Sequence, residues 1–261
     1  MDPTGWPLWM IGFLGSFAAG LATGVGALPI FIRRHWQAES TSVMLAVAGG
    51  IMLAATMFSL IMPALGIVEE RSSSALEPAL VVGGGILLGA IAIYVVHSIV
   101  PHEHFAKDSE GHQFLALGRN WLFILAITLH NVPEGLSVGV AFGPGISSGL
   151  PVALGIGIQN MPEGLAVAAA MSSDGATRLR AFLVALATGL VEPMGGLVGA
   201  LVVHISAVLL PWGLAFAAGA MLFVIAGEII PETYRDDRHH GPTLALVVGF
   251  LIMMMLDVTL G

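Results

Sequence analysis

His130-Asn131-Val132-Pro133-Glu134-Gly135 and Gln159-Asn160-Met161-Pro162-Glu163-Gly164 are near-copies of one hexapeptide, 29 residues apart, and each lies inside an apolar stretch. Carboxylates are costly in such stretches and are rarely kept there without a task. The pair predicts two membrane-crossing helices that bring carboxylate, amide and imidazole groups to a common depth, where they handle a cation.

Composition agrees on the solvent. With 56% hydrophobic residues, 10% charged residues and a mean hydropathy of +0.91, the chain mostly faces lipid. Apolar runs long enough to span a bilayer core of about 30 Å occur near residues 8–32, 43–67, 79–100, 121–142, 149–171, 181–204, 209–230 and 243–260. The expectation is an all-α, polytopic membrane protein with eight transmembrane helices, forming one transporter domain over residues 1–261 with no room for a separate soluble unit. The first run lacks a basic leader and reads as a retained helix. Cysteine is absent, which excludes disulfides and thiolate metal ligands.

Basic residues set the orientation. Arg33, Arg34, Lys107, Arg119, Arg178, Arg180, Arg235 and Arg238 all fall in odd-numbered connections, and only Arg71 falls in an even one. The positive-inside rule then puts the odd loops in the cytosol and both termini outside. The net charge of -8 excludes a nucleic-acid partner and favours cationic ones.

An internal repeat supplies the architecture. Leu45-Ala46-Val47-Ala48-Gly49-Gly50-Ile51-Met52-Leu53 in the second run returns as Leu214-Ala215-Phe216-Ala217-Ala218-Gly219-Ala220-Met221-Leu222 in the seventh, at an offset of 169. Leu80-Val81-Val82-Gly83 resembles Leu246-Val247-Val248-Gly249 in the eighth. Helices one to three then correspond to six to eight across an odd number of spans. They are inverted repeats, with helices four and five a central inverted pair, an arrangement common in secondary transporters.

At about 1.5 Å per residue, His130, Glu134, Gln159 and Glu163 sit roughly 12–21 Å from the cytosolic ends of their helices, around the bilayer middle. His130 and Glu134, and likewise Gln159 and Glu163, are four residues apart on one helix face. Pro133 and Pro162 free the carbonyls of Leu129 and Ile158. Glu192 lies at similar depth, and no Lys or Arg lies centrally in any run, so a bound cation or protons must neutralise three carboxylates. Imidazole with carboxylate suits Zn(II), Fe(II), Mn(II) or Cd(II) better than Mg(II). Met52 reaches the same depth as a candidate soft ligand, and Ser59, seven residues on, lines the route or bonds its own helix.

These motifs resemble those of the ZIP (Zrt/Irt-like protein) family of divalent metal transporters, of the bacterial GufA-like type, across essentially all eight runs. The resemblance implies a first metal site of Met52, His130, Glu134, Gln159 and Glu163. It implies an adjacent second site of Asn131, Asn160 and Glu192, which Glu134 and Glu163 bridge. It also implies metal import into the cytosol across a bacterial cytoplasmic membrane, by an elevator-like movement of one helix bundle. No prosthetic group is expected; the metal is the substrate. Gln159 stands where many relatives have His, Asn160 where close ones have Asp, and Gly227 where a His is common, which favours one tightly held ion.

Further along the path, Glu228 is a candidate release ligand and Asp257 a candidate collector outside. His102, His104 and His112 with Glu103, Asp108 and Glu110, and His239 with His240, form polar cytosolic loops able to hold metal weakly. Gly83-Gly84-Gly85 suits close helix contact, within the chain or in a homodimer. Against the importer stand a metal-dependent intramembrane hydrolase and a metal sensor. The chain has no H-E-x-x-H pattern, and a duplicated site between inverted repeats suits passage better than one-sided hydrolysis.

Overall fold

The computed structural model describes residues 5–33, 38–99, 119–233 and 241–260, which are helical almost throughout and contain no strand. Helix α1 is Leu8–Ala27, tightened at its end into a 3-10 turn at Leu28–Phe31 where Pro29 removes a donor. Helix α2 begins as Ala38–Ala54, widens into a π-helical stretch at Ala55–Ile61 and returns to α geometry at Met62–Glu69. Then follow α3 (Leu76–Ile99), α4 (Arg119–Ala141) and α5 (Ile146–Ser173). Helix α6 comprises Arg178–Gly189 and Glu192–Ile205. Helix α7 comprises Leu210–Val224, a π stretch at Ile225–Ile229 and Ile230–Thr233, and α8 is Gly241–Leu260.

Seven of these helices are long and apolar enough to cross a membrane. The exception is α5, which has the length at 28 residues but carries Gln159, Asn160 and Glu163, so the polar site itself lowers its apolarity. The run expected at 181–204 is not one continuous helix. It breaks after Gly189 and restarts at Glu192, because Pro193 fits a helix's first turn but not its interior. The break places the Glu192 carboxyl at a helix start deep inside the protein.

Two groups of helices pack most closely. In one, α1 lies on α5 and α6, and α4 lies on α6; in the other, α2 lies on α8 and α3 on α7. The groups meet where α2 touches α5 and α4 touches α7. Glycine sets the closest approaches. A Cβ on Gly20 of α1 would fall on the Gly189 carbonyl of α6, and one on Gly189 would fall on the Gly20 carbonyl. Likewise Gly135 abuts the Glu192 carbonyl and Gly164 the Thr23 carbonyl, while Gly195 abuts Val132 and Gly26 abuts Met161.

The second group repeats the pattern. Gly50 sits on the Leu246 carbonyl and Gly219 on the Ile86 carbonyl; Gly249 sits on Val47 and Gly89 on Phe216. Val47 and Phe216 are 169 residues apart, so the Gly249 and Gly89 contacts are alike. Gly83 has nothing within 4 Å of its would-be Cβ, whereas Gly85 packs on Ala215 within the chain. The outer faces of α3 and α8 expose Leu80, Leu87, Ile91, Leu244, Val247 and Leu251, apolar surface suited to lipid.

Candidate metal site

Met52, Asn131, Glu134, Gln159, Asn160, Glu163 and Glu192 are completely buried, and His130 is 1% exposed. Helix α4 carries His130, Asn131 and Glu134, and α5 carries Gln159, Asn160 and Glu163; Pro133 and Pro162 lie inside continuous helices. Hydrogen bonds fix the amides. Asn131 Nδ2 donates to the Thr188 carbonyl at 2.7 Å, and Asn160 Nδ2 to the Ala19 carbonyl at 2.8 Å and to Glu192 Oε1 at 3.0 Å. Gln159 Nε2 donates to Glu134 Oε1 at 2.7 Å. With their nitrogens committed, the amide oxygens are left facing inward.

Several buried acceptors of the site lack a hydrogen-bond partner. Among the described residues, Asn131 Oδ1, Glu134 Oε2, Gln159 Oε1, Asn160 Oδ1, both Glu163 oxygens and Glu192 Oε2 are buried acceptors with no donor. The Glu134, Glu163 and Glu192 carboxyls stand close to one another. No Lys or Arg is among the described buried residues. Orphaned acceptors cost about 1–3 kcal/mol each, more when charged. With no Lys or Arg at hand, a divalent cation or protons would offset that cost.

The site is not a finished cage. Among the described residues, no three His, Asp or Glu side chains stand together as a ready set of metal ligands. The polar groups are paired with one another instead: Gln159 with Glu134, Asn160 with Glu192, and His130 Nε2 with Glu228 Oε2 at 2.9 Å. An ion binding here would exchange these contacts for its own.

Other predicted residues fall as follows. Ser59 does not bond its own helix; its hydroxyl donates to Asp257 Oδ1 of α8 at 2.6 Å. Glu228, expected at the cytosolic end, lies within the π stretch of α7 and against His130. His102, His104 and His112, with the acidic residues among them, and His239 with His240, lie outside the described residues. Sequence reasoning missed the carbonyls of Ala19 and Thr188 that anchor the two Asn side chains. It also missed Ser137, whose Oγ lies 2.8 Å from the Pro133 carbonyl and 2.9 Å from Met221 Sδ. The 169 offset was the available signal, because it pairs Ala19 with Thr188 and Met52 with Met221.

A helical, multi-pass membrane protein is the class this fold defines. The family model described as ZIP zinc transporter matches residues 102–257. The chain is 45% identical over 251 residues to the zinc transporter GufA of Myxococcus xanthus, covering 96% of this chain and 99% of that one. It is 42% identical over 249 residues to the zinc transporter ZIPB of Bordetella bronchiseptica, covering 95% and 81%, and 31% identical over 330 residues to the human zinc transporter ZIP11, covering 95% and 96%. The chain belongs to the ZIP family. It is a transporter and not an enzyme, and the hydrolase reading has no support.

Proposed function

We propose that this protein imports Zn(II), with Fe(II), Mn(II) and Cd(II) as further substrates, across a bacterial cytoplasmic membrane into the cytosol. The observation that carries this reading is the buried set of acceptor oxygens on α4, α5 and α6 with no cationic side chain near it. One ion is held tightly by Met52, His130, Glu134, Gln159 and Glu163. Asn131, Asn160 and Glu192 make a weaker neighbouring position, because Asn160 brings an amide where a carboxylate would bind a second cation.

Eight crossings, including α5, with both termini outside, give the path its orientation. Packing pairs related by offsets of 169 for α1/α6 and α2/α7, 29 for α4/α5 and 160 for α3/α8 support inverted repeats. The two helix groups are suited to alternating access, with α1, α4, α5 and α6 moving as an elevator against α2, α3, α7 and α8. Ser59 and Asp257 lie on the outer approach and Glu228 on the release side. The exposed faces of α3 and α8 contact lipid, and a homodimer would form through that second group.

The test is Zn(II) and Cd(II) uptake into proteoliposomes at matched incorporation. Saturable uptake by wild type that is lost in Glu134→Ala and in Glu163→Ala is the expected result. Stoichiometric metal binding without uptake by wild type would replace the transporter reading with a sensor.

A further inference from the structure

The seam between the two helix groups carries a second sulfur. Met221 on α7 is fully buried, and its Sδ lies 2.9 Å from Ser137 Oγ on α4. Ser137 is three residues beyond Glu134 and seven beyond His130, so all three share one face of α4. Farther along the same α4/α7 seam, His130 meets Glu228. Glu134 lies between these two contacts in sequence on α4. Thioether, carboxylates and imidazole are thus ranged along one seam.

The packing pairs say what Met221 corresponds to. Offsets of 169 between α2 and α7 and 29 between α4 and α5 make Met221 the counterpart of Met52, Ser137 of Ala166, and Glu228 of Ser59. The two methionines are counterparts at the 169 offset, one on α2 and one on α7, and both are fully buried. They differ in one respect: the α4 position facing Met221 carries a hydroxyl, and its α5 counterpart carries a methyl group. Ser137 has one proton to share between the Pro133 carbonyl and the Met221 sulfur, so the sulfur is steered and keeps a lone pair.

We propose that Met221 is a second thioether ligand for the transported ion, on the α7 side as Met52 is on the α2 side. This rests on the transporter reading above. A soft sulfur on each side favours Cd(II) most, Zn(II) less and Mn(II) least.

The test uses the full chain in proteoliposomes with Cd(II) and Mn(II) offered separately, and X-ray absorption on the Cd(II)-loaded protein. Leu replaces Met with nearly the same volume, so Met221→Leu keeps the packing. The expected result is Cd(II) uptake reduced about tenfold with Mn(II) uptake changed less than twofold, a shift on the order of 1.4 kcal/mol in favour of Mn(II). In Met52→Leu, a sulfur neighbour of Cd(II) should persist, and it should vanish in the Met52→Leu/Met221→Leu double variant. An unchanged Cd(II)-to-Mn(II) preference in Met221→Leu, or loss of the sulfur signal in Met52→Leu alone, would reduce Met221 to packing while leaving the transporter intact. Absence of uptake of either ion by wild type would overturn the transporter reading and this inference with it.

Discussion

His130 Nε2 and Glu228 Oε2 are 2.9 Å apart across the seam between α4 and α7, so a candidate metal ligand of one helix group is held by a carboxyl of the other. The nitrogen that faces Glu228 is one a metal ion would need. An ion bound through that nitrogen would compete with Glu228 for it. Glu228→Gln keeps the shape and weakens the hold. Zn(II) affinity by titration calorimetry is expected to rise about fivefold, on the order of 1 kcal/mol, with slower maximal uptake. Weaker binding in this variant would make Glu228 a ligand and not a competitor.

Asn160 donates both to the Ala19 carbonyl and to Glu192, and an Asp there could donate to neither. Asn160→Asp adds a fourth carboxylate to a site already holding Glu134, Glu163 and Glu192. A second divalent ion then has enough negative charge to remain. The expected Zn(II) stoichiometry rises from about one toward two, and the metal-free protein melts at lower temperature because two hydrogen bonds of about 1 kcal/mol each are gone. A stoichiometry unchanged at saturating Zn(II) would show that space, and not charge, limits the second position.

Much of this was legible in the chain. The Glu134 and Glu163 copies, their proline-bearing helices and the 169 offset are patterns of identity and spacing, and a sequence displays those directly. The π stretches of α2 and α7 were not visible, because an extra residue in a helical turn leaves the apolar pattern intact. The break before Glu192 was hinted at by Pro193 but hidden by a run that stays apolar through it. The likeness of the Gly89 and Gly249 contacts was masked by Leu80-Val81-Val82-Gly83. In lipid-facing helices Val and Leu recur by composition, so only contacts fix the register. Side-chain partners such as Ser59 with Asp257, 198 positions apart, depend on packing that no local pattern encodes.

Close packing at the site makes its glycines unequal. A Cβ on Gly135 or Gly164 would meet a backbone carbonyl, of Glu192 or Thr23, and backbone cannot swing aside as a side chain does. Gly135→Ala and Gly164→Ala are each expected to destabilise by about 1–3 kcal/mol, the usual cost of overpacking, and to displace Glu134 or Glu163 beside them. Gly83→Ala, with open space around it, should leave melting and uptake unchanged. Thermal melts of the three purified variants settle the order; equal melting temperatures would contradict the packing.

Protons must leave when the ion arrives. His130 Nε2 and Glu228 Oε2 are 2.9 Å apart, a separation at which a hydrogen stands between two such atoms. A metal ion that takes Nε2 and the carboxylate oxygens displaces that hydrogen. Binding that releases protons is strengthened as pH rises and weakened as it falls. Zn(II) affinity should drop between pH 7.5 and pH 5.5. Calorimetry in two buffers of different ionisation enthalpy should report net proton release on Zn(II) binding. Zero release in wild type would mean that Zn(II) binds elsewhere than at His130 and the paired carboxylates.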